Sequence, residues 1–166
     1  MAQVAVTIST PRDLPDLVRF FRAMAAAVAP DDTEAADRGE AGLRRSLHSW
    51  DLFRSDTCPL LLARVDGEPA GNLLAVRIPK TDARVGFLFI DEVYVLPAYR
   101  RLGVGRALVA RAQALAGELG LAGVRLLVRP DNEPARALYR SCGFREHQPI
   151  LCQWDGAKAD EAAKPA

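Results

Sequence analysis

The order of apolar and polar residues predicts a strand and then two helices at the start of the chain. Residues 4–8 read Val-Ala-Val-Thr-Ile, which is the two-residue period of a strand with one buried face. A helix is expected to begin at Thr10, because Thr is a good N-cap and Pro11 suits a first helical turn. Apolar residues then recur at helical spacing over residues 14–24. A second, less apolar helix is predicted after residues 30–33, where Pro-Asp-Asp-Thr breaks the pattern.

A hairpin and a long central strand are predicted in the middle of the chain. Apolar runs at residues 60–65 and 70–76 flank Asp66-Gly67, and Asp-Gly between two such runs is a strong hairpin signal. Residues 87–95 are apolar at both alternating sets of positions, which predicts a strand buried on both faces. Another strand is predicted at residues 123–128, and one or two more between 144 and 154. With regular pairing, one face of the central strand carries Phe87, Phe89, Val93 and Val95, and the other Leu88, Ile90 and Tyr94.

A basic turn with two glycines separates the central strand from a third helical pattern. Residues 100–106 read Arg-Arg-Leu-Gly-Val-Gly-Arg, and apolar residues recur every three or four positions from Val104 onward. The glycines allow backbone N–H groups to converge, and the start of a helix adds partial positive charge. The segment lacks the third small residue of a Rossmann fingerprint, where Leu108 stands, and it lacks the lysine of a P-loop. The sequence therefore predicts a pyrophosphate cradle of another kind.

Two motifs in this part of the chain resemble one known family. Arg100, Gly103 and Gly105 form the pattern Arg-x-x-Gly-x-Gly after a Val-Tyr-Val-x-Pro strand end, and this pattern resembles motif A of the GCN5-related N-acetyltransferases (GNAT). Residues 131–144 resemble the family's Asn-x-x-Ala-x-x-Leu-Tyr-x-x-x-Gly-Phe signature, at the expected spacing. The resemblance extends over residues 60–144.

The resemblance implies a fold and a cosubstrate. The expected fold is a single α/β domain over residues 1–154, with a mixed, mostly antiparallel central sheet, helices on both sides, and central strands that splay to admit coenzyme A. Residues 155–166, rich in Ala, Lys, Asp and Glu, are expected to form a disordered tail. The implied cosubstrate is acetyl-coenzyme A. The residues implied for its binding are Val93, Val95, Arg100, Arg101, Gly103, Val104, Gly105, Arg106, Asn132 and Tyr139.

Two adjacent acids, Asp91 and Glu92, stand in the middle of the otherwise apolar central strand. Carboxylates are almost never buried without a partner, so they either lie at a splayed or bulged strand edge or face a substrate. The resemblance implies transfer of an acetyl group to a primary amine, by direct attack in a ternary complex. An alkyl ammonium has a reference pKa of about 10.4, so a base must remove its proton. Glu92 or Asp91 is expected to be that base or the anchor of the amine, and the sequence leaves the choice open.

The resemblance also assigns a proton donor and the groups that hold the acyl donor. In the family, a bulge in the equivalent strand frees backbone groups for the pantetheine arm and the thioester carbonyl, and these positions correspond to Val93 and Val95. Tyr139 occupies the family's position for the acid that protonates the leaving thiolate. The alternative for Tyr139 is a ring that packs at a helix end.

The composition limits the kinds of partner that the protein is expected to bind. The chain has 166 residues, 49% of them hydrophobic, and a formal net charge of +1, so neither nucleic acid nor an anionic membrane is an expected partner. Cys58, Cys142 and Cys152 have no metal-like spacing, His48 and His147 lack partners at motif spacing, and no metal is expected. The chain opens directly into a strand pattern, without a signal peptide or an apolar run that could span a bilayer, so a cytoplasmic location is expected. The resemblance leaves a homodimer open.

The sequence does not specify the acceptor, which is expected to be the amine of a small molecule or peptide. A non-catalytic acyl-coenzyme A-binding or sensor module is the alternative. It would keep the cradle but would not need Tyr139 or the paired acids. A run of acids between and within the first two helices would either attract a cationic amine or form a solvated face: Asp31, Asp32, Glu34, Asp37 and Glu40.

Overall fold

The computed structural model of the chain describes residues 2–53, 57–81, 85–148 and 150–154. Within these ranges it contains five β-strands, four α-helices and two short 3-10 turns, at Pro11–Asp13 and Pro97–Tyr99. The strands are Val4–Ile8 (β1), Leu60–Val65 (β2), Glu68–Ile78 (β3), Phe87–Val95 (β4) and Val124–Leu126 (β5). The helices are Leu14–Val28 (α1), Ala35–Trp50 (α2), Val104–Glu118 (α3) and Glu133–Ser141 (α4).

The strands form one sheet in their sequence order, β1-β2-β3-β4-β5. The first four pair antiparallel and β5 pairs parallel to β4, which confirms the mixed, mostly antiparallel sheet. The turn between β2 and β3 has positive φ at both central residues, 50° at Asp66 and 89° at Gly67, as the Asp-Gly pair predicts. Because parallel neighbours need a crossover connection, α3 lies between β4 and β5 in the chain and packs across the sheet.

Helices cover both faces of the sheet, as predicted. Neighbouring residues of β2 serve opposite faces, because side chains alternate along a strand: Leu61 packs toward α3, and Leu62 toward α1 and α2. The α3 face buries, among others, Leu73, Leu88, Leu108 and Ala112. The α1/α2 face buries Leu17, Phe20, Leu43 and Leu60.

A β-bulge in β4 changes which of its residues share a face. Glu92 pairs with Leu74 of β3. The next residue of β3, Ala75, pairs with Ile90, so Asp91 is the extra residue of the bulge. The prediction from regular pairing was therefore wrong, because it counted straight through this residue. On the two sides of the bulge, Leu88, Ile90, Val93 and Val95 all pack toward α3, whereas Tyr94 packs toward α1 and α2.

The start of the first helix is held as its sequence predicts. The Thr10 N–H donates to the Asp13 carboxylate at 2.8 Å, and a 3-10 turn precedes α1. Arg64 of β2 reaches over from the sheet and donates to Asp13 at 2.7 Å and to Asp16 at 2.8 Å. These contacts fasten the first turns of α1 to β2.

The chain after α4 differs from the prediction. Residues 144–148 and 150–154 form no strand, and β5 is shorter than predicted. Glu146 accepts hydrogen bonds from Arg136 and Arg140 of α4, so this part of the chain contacts the helix. Residues 155–166, the predicted tail, lie outside the described part of the chain.

Candidate active site

The turn before α3 presents backbone N–H groups that no side chain caps. Gly103 precedes the helix with a φ of 83°, and Arg101 also has a positive φ, of 66°. The Ala107 N–H donates to Gly103 O at 2.9 Å, while the N–H groups of residues 104–106 precede the first full turn and have no acceptor within the helix. A Cβ placed on Gly103 would meet no atom within 4 Å, so the turn is open. This arrangement fits an anionic phosphate group.

The three arginines predicted at the cradle have different positions. Arg100 donates through Nε to Val95 O at 3.3 Å, and its guanidinium lies 6.0 Å from the centre of the Tyr94 ring. Arg101 is exposed in the turn itself. Arg106 donates to Ser141 O at 3.1 Å and thereby links α3 to the end of α4. Arg100 and Arg101 therefore lie on the turn, whereas the structure gives Arg106 a contact with α4.

Gly105 sets the distance between α3 and α4. A Cβ on Gly105 would lie 3.1 Å from Leu138 Cδ2 and 3.8 Å from Val95 Cγ2. The missing side chain thus lets α4 approach the cradle and the end of β4. Asn132, at the start of α4, accepts from the Ala135 N–H at 3.2 Å, so its observed contact is that of an N-cap.

The far half of β4 has an open edge. Pairing with β5 ends at Ile90 and Leu126, so the residues of β4 after the bulge have no strand neighbour on this edge within the described part of the chain. The Leu96 N–H donates to Ala70 O of β3, and backbone groups alternate in direction along a strand. The backbone groups of Val95, and by the same alternation those of Val93, therefore face the open edge.

The two acids of β4 occupy the bulge and differ in their surroundings. Both residues are exposed at the surface, but Glu92 lines a cleft between the sheet and α1 and α2, whereas Asp91 is the extra residue of the bulge and does not line this cleft. Partial burial raises the pKa of the Glu92 carboxyl above its usual range, and the neighbouring Asp91 charge adds a smaller increase. A carboxyl with a raised pKa is better matched to proton transfer near neutral pH.

The cleft beside Glu92 has a volume of about 400 Å³, within the range of small-molecule sites. Asn72 of β3 also lines it, with only 1% of its surface exposed, and its Oδ1 has no hydrogen-bond partner among the described residues. A buried amide oxygen without a partner is costly, and a ligand with N–H groups would satisfy it. The remaining lining residues are Phe21, Met24, Arg38, Gly39, Gly42, Leu43, Arg45, Ser46, Leu52, Leu60 and Leu74.

The acids near the first two helices are largely neutralised within the protein. Four of the five form ion pairs with arginines of α1 and α2. This favours a role in fastening the helices over attraction of a cationic amine. The pairs join Arg22 to Asp37 and Glu40, Arg38 to Asp32 and Glu34, and Arg44 to Glu40.

Tyr139 lies in the last turns of α4, half-buried, with its ring centre 5.8 Å from that of Phe144. Burial raises the pKa of its phenol, and Cys142 adds a smaller increase. The phenol therefore stays protonated at neutral pH, as a proton donor requires. Tyr139 is not among the residues that line the cleft beside Glu92.

Several residues of the cleft escaped the sequence analysis, among them Asn72 and Arg45. Asn72 interrupts the apolar run at residues 70–76, and an amide inside such a run is a signal that could have been used. Arg45 lies on a polar helix face and gave no signal, because only the packing of α2 against the sheet brings it to the cleft. Within the described residues, no group of three or more metal-binding side chains is present, and no helix could cross a membrane.

A bulged strand with an open edge, next to an uncapped helix start, defines an α/β protein built to hold an extended phosphate-containing ligand. The model of the Acetyltransferase (GNAT) family matches residues 21–144, so the chain belongs to this family. The resemblance inferred from the two motifs is thereby confirmed.

Curated relatives carry the names of two kinds of acetyltransferase. A mycothiol acetyltransferase of Clavibacter sepedonicus is 35% identical over 148 residues, which are 87% of this chain and 44% of that protein. An aminoglycoside N(6')-acetyltransferase of Acinetobacter haemolyticus is 33% identical over 63 residues, 38% of this chain and 43% of that protein. The chain thus spans less than half the length of these relatives.

Solved structures confirm the fold. An aminoglycoside acetyltransferase from an uncultured soil metagenomic sample has a TM-score of 0.74 at 22% identity, covering 93% of this chain and 99% of that one. An aminoglycoside N-acetyltransferase in complex with CoA has a TM-score of 0.69 at 17% identity, covering 93% and 96%.

Proposed function

We propose that the protein is an N-acetyltransferase that transfers an acetyl group from acetyl-coenzyme A to a primary amine, by direct attack in a ternary complex. One observation carries this proposal: the stretch of β4 directly after the bulge at Asp91 offers a carboxyl on one face of the sheet and backbone groups at the strand edge. The side chain of Glu92 lines a cleft on the α1/α2 face. The backbone of the following Val93 and Val95 faces the open edge near the cradle.

The residues of the cradle fit the acyl donor. The N–H groups at the start of α3, with the charges of Arg100 and Arg101, would hold the pyrophosphate. The backbone of Val93 and Val95 would hold the pantetheine arm and polarise the thioester carbonyl. When bound, acetyl-coenzyme A supplies an activated acyl group with a thiolate as leaving group.

The chain's own groups would then move two protons. Glu92 accepts the proton of the bound ammonium, directly or through water, and the neutral amine attacks the carbonyl carbon. A backbone N–H at Val93 or Val95 stabilises the oxyanion that forms. As the C–S bond breaks, Tyr139 donates its proton to the leaving sulfur, and the nitrogen of the new amide releases its second proton to solvent water. Asp91 is the weaker candidate for the base, because it is the extra residue of the bulge and does not line the cleft.

A small-molecule amine as acceptor is supported by the names of the relatives, which refer to aminoglycosides and to mycothiol. The test combines calorimetry of acetyl-coenzyme A binding with thiol release over a panel of amines. We expect binding together with amine-dependent thiol release. Binding without thiol release for any amine would overturn the proposal and support the non-catalytic acyl-coenzyme A-binding module.

A further inference from the structure

The cleft beside Glu92 is lined by ionic groups of opposite sign that come from two different elements. Glu92 projects from the sheet, whereas Arg38 and Arg45 belong to α2. These three are the ionisable residues among the described residues that line it. With one carboxylate and two guanidinium groups, the lining is unfavourable for a ligand that carries several positive charges.

The two arginines of the cleft are not equivalent. Arg38 forms ion pairs with Asp32 and Glu34, so its charge is compensated within the protein. Arg45 is exposed and forms neither an ion pair nor a hydrogen bond with any residue in the described ranges. Arg45 therefore offers an uncompensated guanidinium, which binds carboxylate and phosphate groups well.

The spacing along α2 places Arg45 on the same helix face as two other cleft residues. Residues three, four or seven positions apart lie on one face of a helix, so Arg38, Gly42 and Arg45 share a face of α2. Gly42 lines the cleft, and a Cβ built there would meet no atom within 4 Å. The glycine thus keeps a passage open beside Arg45.

The rest of the cleft lining is mostly apolar and includes one buried hydrogen-bond acceptor, the amide oxygen of Asn72. Phe21, Met24, Leu43 and Leu74 are among its lining residues. Asn72 pairs with Tyr94, so it lies at a diagonal cross-strand position from Glu92, at about 7–8 Å between residues. The unpartnered Asn72 Oδ1 and the Glu92 carboxylate both accept hydrogen bonds, and together they suit an amine, which has N–H groups to donate.

We propose that the cleft selects an acceptor with a primary amine at one end, a single anionic group at the other end and an apolar body between them. The amine binds at Glu92 and Asn72, the body contacts the apolar lining, and the anionic group binds Arg45. This inference rests on the proposed function, because it assigns the acceptor class of the same site. It separates this chain from enzymes that accept polycationic amines.

The first experiment compares matched acceptors in the thiol-release assay. Unbranched ω-aminocarboxylates of increasing length are compared with alkylamines of the same length, in which a methyl group replaces the carboxylate. Aminoalkyl phosphates and a polycationic aminoglycoside complete the panel. We expect kcat/KM for the best aminocarboxylate or aminophosphate to exceed that of the matched alkylamine by roughly 10-fold, the usual effect of one charge-assisted contact.

The second experiment replaces the proposed anion-binding residue. Arg45→Gln should reduce the ratio of kcat/KM between aminocarboxylate and alkylamine by roughly 10-fold. Arg44→Gln is the matched control, because Arg44 is the adjacent exposed arginine but pairs with Glu40 and does not line the cleft. It should leave the ratio unchanged. Thermal unfolding and acetyl-coenzyme A affinity, measured for both variants, show whether the change is confined to the acceptor.

The outcomes separate this inference from the proposed function. Equal turnover of alkylamines and aminocarboxylates, fastest turnover of the aminoglycoside, or equal ratios in the two variants would overturn the inference while leaving the acetyltransferase intact. A different result, no thiol release with any amine, would overturn the proposed function itself. A preference shared by carboxylates and phosphates supports a general anion site, and a preference for one of them identifies the group.

Discussion

The two faces of the sheet are built differently. On the α3 face, Leu73, Leu88 and Leu108 are fully buried, and the contacts are apolar. On the α1/α2 face, an equally buried core around Leu17 and Phe20 lies beside an open cleft, where Asn72 is buried without a partner for its Oδ1. The α3 face is packed with apolar side chains, whereas the α1/α2 face keeps one buried amide oxygen without a partner among the described residues, as expected where a ligand completes the structure.

The cofactor part and the acceptor part of the candidate site also differ in the chemical groups that they offer for binding. The candidate cofactor groups are mostly backbone N–H groups, placed by the bulge in β4, by Gly103 and by the start of α3. The candidate acceptor groups are side chains from separate elements, among them Glu92, Asn72 and Arg45. Substitutions should therefore affect chemistry, acceptor recognition and stability to very different extents.

The largest effect is expected from Tyr139→Phe. The phenol is the proposed acid on the cofactor half, so its loss should lower kcat by roughly 10²- to 10⁴-fold, the range for a positioned proton donor. The ring still packs near Phe144, so the fold and most of the acetyl-coenzyme A affinity should remain. Steady-state kinetics with a calorimetric binding measurement check this.

The control for this variant is Tyr99→Phe, which removes a phenol elsewhere and should keep the wild-type kcat. A donor with a more acidic leaving thiol should reduce the loss in Tyr139→Phe, because such a thiolate needs no proton. Wild-type turnover by Tyr139→Phe, with chemistry shown to be rate-limiting, would exclude the phenol as the acid.

Glu92→Gln should have the next largest effect, and this effect depends on pH. Without the base, the rate depends on the fraction of neutral amine, which falls as pH drops below a reference pKa of about 10.4. The loss in kcat/KM should therefore be roughly 10²-fold just above the raised pKa of Glu92 and shrink toward high pH. A pH–rate profile measures it, with Asp91→Asn as the companion variant. If Asp91→Asn shows this profile and Glu92→Gln does not, the two acids have exchanged roles.

The same raised pKa makes a stability prediction with a definite sign. A carboxyl whose pKa is higher in the folded than in the unfolded state destabilises the fold once it ionises. This destabilisation grows as pH rises from the ordinary glutamate pKa of 4.5 through the higher pKa of the folded state. Glu92→Gln should therefore raise Tm at pH 8 relative to the wild type, with a smaller difference at pH 4.

Asn72→Leu is expected to have two smaller effects, a more stable fold and weaker binding of the acceptor. Leu is close to Asn in shape and removes the unpartnered Oδ1, so the free energy of unfolding should rise by about 1–3 kcal/mol. The acceptor should bind more weakly, because the amine loses a hydrogen-bond acceptor. Urea unfolding and acceptor KM measure the two effects. A loss of stability together with an unchanged KM would show that Asn72 belongs to the packing and not to the site.

The two faces also explain what could be predicted from the sequence. The hairpin at Asp66-Gly67 and the glycine-containing turn before α3 depend on local signals, and both were found. The cleft depends on long-range packing that brings Arg45 of α2 to Glu92 of β4, and no local pattern reports such a contact. The bulge at Asp91 lies between these cases, because two acids in an apolar strand suggested an irregularity without fixing its register.

The smallest effect is expected from Gly42→Ala, and a second glycine of α2 supplies its control. Gly42 lies inside the helix and lines the cleft, where an added Cβ meets nothing within 4 Å. Since Ala restricts the unfolded chain and favours the helix, the free energy of unfolding should rise by about 0.5–1 kcal/mol.

At Gly39, an added Cβ would lie 2.5 Å from Phe21 O and 2.7 Å from Ala25 Cβ. Gly39→Ala should therefore destabilise the protein, by about 1–3 kcal/mol, because α1 must move away. Urea unfolding of both variants measures the sign and size of the two changes in the free energy of unfolding. If the two substitutions change stability with the same sign, Gly42 does not border an open cleft, and the contrast between the two faces fails at this helix.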